Sequence, residues 1–250
     1  MSTISVGGNE VRSHSLPRVG KLLFAGDPYV YYLGTWPKGT VRIDGLSSFT
    51  VFVKDMEAGT KMRLDGKSVP LDSGDALQAE GQLLDMEIVA GGIQVLVAGT
   101  KHASGLPVGK RLTKKNSIYK VVKPWGHELW INGQHPAYSF KEVFLKKGSQ
   151  TSLQYHRHKQ ETNVLFQGEA RLVYKANSAV HNDDLAAHDL GVQTLAPIAS
   201  IGIMPGVVHR LVAQTDLLLY EVSTPHLDDV IRLQDDANRP NGRIEAEHRQ

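Results

Sequence analysis

Short apolar, β-branched segments recur along this 250-residue chain, broken about every eight to twelve residues by Gly, Asp, Asn or Pro. Strand side chains alternate between faces, and Gly and Asp tolerate the positive φ of tight turns, so this rhythm demands sheets that fold back on themselves. It predicts an all-β molecule with few short helices. In the first hundred residues strands are expected near Tyr29–Leu33, Phe49–Lys54, Lys61–Leu64, Leu84–Val89 and Gly92–Ala98. Asp65-Gly66, Ser73-Gly74-Asp75 and Gly91-Gly92 are read as the turns. The second half predicts strands near Ser139–Leu145, Thr151–His158, Glu161–Phe166, Ala170–Tyr174, Ser200–Met204, Val207–Val212 and Leu217–Val222.

The rhythm lapses in three places. The basic, Gly- and Pro-containing stretch from Thr100 to Asn116 reads as an exposed linker. Lys175–Leu190 reads as a loop inserted between two strands, the kind of segment that often covers a site. The last residues are polar. The expected organisation is therefore an N-terminal β domain over 1–105, a linker over 106–118, a second β domain over 119–240 and a mobile tail over 241–250.

Composition narrows the chemistry. The 28 basic and 26 acidic side chains nearly cancel, so no nucleic-acid partner is expected. Without cysteine there are no disulfides, thiolate metal sites or thiol nucleophiles. No apolar run reaches the roughly 20 residues of a membrane span, and the N-terminus lacks the features of a signal peptide. A cytoplasmic protein with no membrane partner is the expectation. Gly-rich phosphate loops and Ser nucleophile elbows are absent.

Ligand-type side chains cluster once, in Gln154-Tyr155-His156-Arg157-His158-Lys159-Gln160-Glu161. On a strand over Thr151–His158, Ser152, Gln154, His156 and His158 would share one polar face, suited to a cavity. A turn at Lys159-Gln160 would reset the alternation so that Glu161 enters the same cavity, with Asn163 on its face. Beyond Pro205-Gly206, His209 shares a face with Val207 and Leu211. His156, His158, Glu161 and His209 are thus the expected ligands of one divalent ion; zinc, manganese, iron and nickel all suit the set.

The stretch Gly148–Gly168, with His156, His158, Glu161 and Gly168, resembles the first motif of the cupin superfamily, and Pro205-Gly206 followed by His209 resembles the second. The two-residue gap from His158 to Glu161 is similar to the type II phosphomannose isomerases, including the domain fused to mannose-1-phosphate guanylyltransferases. Lys123-Pro124-Trp125-Gly126, Ser152-Leu153-Gln154 and Asp228-Asp229-Val230-Ile231-Arg232-Leu233 match further features of that branch, so the resemblance spans roughly Val121 to Arg239. It departs at Thr162-Asn163, where the branch has His-Trp, and in the Lys175–Leu190 insertion. The N-terminal half resembles a degenerate cupin: Val69–Leu77 followed by Gly81 matches the approach to the second motif, but no histidine follows. The resemblance implies two jelly-roll barrels in tandem, with the metal motif in the second.

It also implies a metal-dependent isomerase or epimerase acting on a sugar phosphate or related small polyol. The ion would act as a Lewis acid on a carbonyl and stabilise an enediolate, while a base moves the proton between adjacent carbons. Gln154 and Asn163 are the candidates for orienting substrate, Lys123 and Arg171 for its phosphate or carboxylate, and Glu142 for the base. A cupin-type dioxygenase and a non-enzymatic metal- or sugar-binding module are the alternatives. A homodimer is expected.

Overall fold

The computed structural model describes residues 3–6, 9–12, 28–43, 45–175 and 190–248. Strands β1 (Thr3–Val6) and β2 (Asn9–Arg12) form an antiparallel ribbon with Thr3 opposite Arg12. The chain divides into two compact units. One draws on Ser15–Tyr119 and Ile131–Tyr138, the other on the remainder. Both are all-β jelly rolls.

The first unit contains β3 (Val30–Ile43), β4 (Ser48–Met56), β5 (Lys61–Leu64), β6 (Lys67–Ser68), β7 (Ala76–Glu80), β8 (Leu84–Thr100) and β9 (Gly109–Thr113). They form one sheet in the order β6-β5-β8-β4-β7-β9, with β3 also on β8. Long strand β8 explains how the sheet curls. Its first half pairs with β5 and its second with β4, while β3 runs along its whole length. Gly91-Gly92, expected as a hairpin turn, instead bends this one continuous strand. Gly91 has φ +72°, and a Cβ there would lie 2.3 Å from the Thr60 hydroxyl. The enclosed core includes Trp36, Ile43, Phe49, Val51, Met86, Ile88 and Val95.

The expected linker is also corrected. Within it, β9 pairs with β7, Leu112 opposite Leu77. Its basic residues are bound: Lys110 to Asp65 at 2.5 Å, Arg111 to Gln78 at 2.8 Å, and Lys114 to buried Asp75 at 2.5 Å. Burial would raise the Asp75 carboxyl, but Lys114 and the backbone N–H groups of Lys115 and Asp72 hold it below the usual range. Charges of this kind blunt a sheet edge, which is why the strand reads as a solvated connector. A 3-10 turn over Lys115–Ser117 follows.

The second unit is built from β10 (Tyr119–Lys123) and β11 (Gly126–Asn132), except for Tyr119 and Ile131-Asn132 at their ends, with β12 (Ser139–Leu145), β13 (Leu153–Tyr155), β14 (Glu161–Gln167), β15 (Ala170–Lys175), β16 (Gly191–Leu195), β17 (Ala199–Ile203), β18 (Val208–Ala213), β19 (Leu217–Ser223) and β20 (Ile231–Gln234). Two sheets result, β10-β11-β12-β19-β14-β17 and β16-β15-β18-β13-β20. Their inner faces enclose Val143, Leu145, Leu165, Leu172, Ile201, Ile203 and Leu219, each worth about 1.5–3 kcal/mol of burial. Pro124-Trp125 turns β10 into β11. Gly126 follows because its backbone crosses the Phe144 carbonyl so closely that a Cβ would sit 2.0 Å from that oxygen. Of the inserted segment Lys175–Leu190, all but its two ends lies outside the described residues.

Candidate metal centre

Strand β13 ends at Tyr155, and the next residues bend around one carboxylate. Asp229 accepts the consecutive backbone N–H groups of Arg157 at 3.0 Å, His158 at 2.5 Å and Lys159 at 2.9 Å. Burial would raise its carboxyl; these three donors more than offset that and hold it below the ordinary aspartate value. The bend is pinned again where the His156 carbonyl accepts the Gly206 N–H at 2.7 Å. Pro205-Gly206 thereby fixes the entry of β18, on which His209 stands directly opposite Gln154.

His156 and His209 then converge on Glu161, and all three are buried. The His156 Nδ1–H donates to the Asp229 carbonyl, and the His209 Nδ1–H donates to the Val207 carbonyl at 3.0 Å. Both imidazoles are thereby left with an Nε2 lone pair facing inward, 3.4 Å and 3.2 Å from the two Glu161 oxygens. The His156 Nε2 is buried without a hydrogen-bond partner. Lone pairs aimed at a carboxylate repel it unless a proton or cation intervenes. Backbone carbonyls that fix the Nδ1 tautomer are the usual support of metal-ligating histidine. The donor set therefore fits a divalent ion. Asn163 donates to Glu161 Oε1 at 3.1 Å and orients it.

His158 does not join them. With the strand ended and Asp229 gathering the N–H groups, strict alternation stops: Arg157 and His158 are exposed, and Lys159 turns inward. The buried Lys159 ammonium reaches Glu161 Oε2 at 2.5 Å and Glu221 Oε1 at 2.8 Å. Burial would raise the Glu161 carboxyl, but the Lys159 ammonium holds it well below the usual carboxylate range. Burial would lower the Lys159 ammonium, but Glu161 and Glu221 push it up instead.

Beyond Lys159 the charges alternate across the sheet. Glu221 on β19 lies 3.7 Å from Lys141 on β12, which is 3.7 Å from Glu128 on β11; Glu128 is in turn 3.7 Å from Lys123 on β10. Burial would raise the Glu128 carboxyl, but Lys141 and Lys123 bring it to about 2. This row lines a cavity of about 120 Å³ whose apolar lining includes Trp125, Val143, Leu145, Leu211 and Leu219. The Lys141 ammonium also lies over the Trp130 ring at 4.7 Å.

Of the expected substrate-binding residues, Gln154, Asn163 and Lys123 line this cavity. Arg171 does not: it is exposed on β15, one strand position from the inward-facing Leu172 and Ala170. Glu142 is also corrected. It lies between cavity-lining Lys141 and Val143, so it faces the other side of β12, where it accepts the Tyr220 hydroxyl at 2.6 Å. Sequence reading missed Lys159, Glu221, Lys141 and Glu128. Strand parity held the signal, because Lys141 is in phase with buried Val143 and Leu145, and Glu221 with Leu219 and Leu217.

The expected mobile tail lies against the same cavity as far as residue 248. Gly242, Arg243, Ile244 and His248 line it, and Glu245–His248 forms a 3-10 turn. Among the described residues, no helix is long and apolar enough to cross a membrane.

Comparison with known proteins places this geometry in a family. No curated protein is similar enough in sequence to count as a relative. Solved structures share the fold at low identity. The protein Ylba from E. coli matches with a TM-score of 0.62 at 12% identity, over 89% of this chain and 93% of its own. A Bacillus subtilis oxalate decarboxylase with Mn(II) centres matches at 0.56 and 10%, over 82% and 71%. A quercetin 2,3-dioxygenase from Acinetobacter baumannii matches at 0.55 and 13%, over 78% and 73%. The family model described as mannose-6-phosphate isomerase C-terminal matches residues 110–235, taking in every ligand of the candidate centre and the charged row beside it. The chain belongs to this cupin family, the mannose-6-phosphate isomerase C-terminal domains.

Proposed function

We propose that the protein is a metal-dependent isomerase or epimerase acting on a sugar phosphate or related small polyol. The carrying observation is the pair of inward imidazole lone pairs, tautomer-fixed by backbone carbonyls, on either side of buried Glu161. Family membership supports isomerase chemistry over other uses of the fold. His156, His209 and Glu161 would hold one divalent ion, which supplies Lewis-acid polarisation of a carbonyl when bound. Gln154 and Asn163 offer amide groups to substrate hydroxyls. Glu221 takes over the role first assigned to Glu142: it is a carboxylate of the cavity wall, linked to the centre through Lys159, and suited to move a proton between adjacent carbons. Trp125 and Trp130 give the cavity flat apolar walls suited to C–H faces of a sugar.

The test is deuterium exchange. Metal-loaded protein in heavy water is offered a panel of aldose and ketose phosphates, and label is followed at the carbons flanking the carbonyl. Exchange that falls at least about 100-fold in Glu221→Gln supports the assignment, in line with general-base contributions. Absence of exchange with every sugar and every metal would overturn it.

A second reading has its own observation. With His158 outside the cluster, two histidines and one carboxylate remain, a donor set shared by ferrous oxygenases. Oxygen consumption by iron-loaded protein, with no sugar exchange, would favour that reading.

A further inference from the structure

Glu247 occupies a place that a ligand's anionic group would suit. Its Oε2 accepts from the Lys123 ammonium at 2.8 Å and its Oε1 from the Arg239 guanidinium at 3.2 Å. Each oxygen thus has its own cation, as a bound carboxylate or phosphate would. Both cations line the cavity, with only 10% and 9% of their side chains exposed.

The charge count gives this contact its meaning. Along the row, Lys159, Lys141 and Lys123 are balanced by Glu161, Glu221 and Glu128. At its far end Arg239 and Arg232 share Asp235, at 2.7 Å and 4.0 Å. Glu247 supplies the remaining negative charge. Among these ion-paired groups, removing it leaves Lys123, Arg239 and Arg232 with one cation in excess, and an uncompensated, largely buried charge favours an anion.

Beyond Gly242, the segment carrying Glu247 buries little apolar surface. No residue from 241 to 248 is buried, and Arg243 pairs within the segment, with Glu245 at 3.3 Å. The start of the segment is held firmly, by the Arg232 N–H on Asn241 Oδ1 at 2.7 Å, the Arg232 guanidinium on the Gly242 carbonyl at 2.8 Å and the Gly242 N–H on the Val230 carbonyl. Beyond Gly242 the ties include the Glu247 ion pairs and an edge contact of His248 on Trp130, with ring centroids 5.0 Å apart. Segments with few buried apolar groups open at low cost.

We propose that residues 243–248 are a displaceable cover, and that the Glu247 carboxylate holds an oxyanion site between Lys123 and Arg239 until a ligand's carboxylate or phosphate replaces it. The site deepens the functional reading above by giving the substrate's anionic end a position, but its test needs neither metal nor turnover. Inorganic phosphate and acetate are titrated separately, by calorimetry at constant ionic strength, into the full chain and into Glu247→Ala and Glu247→Gln. If the cover is closed about nine-tenths of the time, both variants bind about tenfold more tightly than the parent. Lys123→Ala combined with Glu247→Ala should lose that gain. In the parent, the ligand should raise hydrogen exchange of residues 243–248 and shift tryptophan emission as His248 leaves Trp130. Tighter phosphate binding identifies a phosphoryl group, and equal gains identify a carboxylate-sized anion; either supports the site. Unchanged affinity for both anions in both variants, or tail exchange that ignores ligand in the parent, would overturn it. Sugar-proton exchange failing while these results hold would sink the isomerase reading and leave the cover standing.

Discussion

Backbone carbonyls, not neighbouring acids, decide which nitrogen of His156 and His209 faces inward. A ligand-ready Nε2 on each follows directly, and so does a discrimination between the histidines. His156→Ala and His209→Ala should each weaken metal binding by at least about 100-fold, whereas His158→Ala, at an exposed position, should bind one ion as the parent does. Metal analysis after dialysis against graded chelator reads the difference directly. Lys159 makes the opposite kind of contribution. Replacing it by Met leaves Glu161 and Glu221 buried without their shared cation, and breaking such a contact costs on the order of 3–5 kcal/mol. Urea unfolding of the metal-free protein should show that loss, and bound metal should recover part of it by neutralising Glu161. A loss below about 1 kcal/mol would mean that Lys159 is not the cation holding this end together. His158 and Lys159 show where residue-level reading stops. The pattern of two histidines is visible in sequence, but which side chain turns inward depends on where β13 ends.

The element that sets this is the bend at residues 157–159, with Asp229 as its centre. Paired aspartates before Val230 were visible as a motif; their role was not. The second of them organises a loop some 70 positions earlier in the chain, and no local pattern reports such a contact. Asp229→Ala removes the side-chain acceptor of three N–H groups and should cost about 2–3 kcal/mol, while the backbone carbonyl that accepts from His156 remains. The pH dependence follows from the depressed carboxyl. Asp229 contributes stability above the ordinary aspartate value of about 3.9, and that contribution is lost as pH falls through its lower folded value. The parent should therefore lose stability more steeply than Asp229→Ala below about pH 4, as measured by thermal melting across pH 2.5–7. Parallel curves would show that the carboxylate is not the group being titrated. At this scale strand positions were largely legible because alternation and turn residues are local. Strand β9 was not, because its Lys110 and Arg111 find their partners, Asp65 in a turn and Gln78 on β7, 45 and 33 positions away in the chain. The bend at Gly91-Gly92 was misjudged for the same reason, since a glycine pair looks alike in a hairpin and in a kinked strand.

At the scale of the whole molecule, the second unit holds its charged row and candidate centre in one cavity, so metal affinity and folding are linked. Divalent metal at about 100 times its dissociation constant should stabilise the folded state by about 2.7 kcal/mol, visible as a raised calorimetric transition that chelator reverses. An unmoved transition alongside stoichiometric binding would show that the ion binds the folded and unfolded chains equally. By itself, the sequence determined the all-β class, most of the turns, the cupin resemblance and the candidate residues His156, Glu161 and His209, because alternation, turn chemistry and short motifs act over a few residues. The tertiary structure alone decided that His158 faces outward and Lys159 inward, that Glu142 and Arg171 leave the site, that Glu221 enters it, and that Glu247 closes the row of charges. Each of those outcomes depends on a partner in another strand or in the C-terminal segment, and burial and charge compensation between distant residues are settled only when the sheets close.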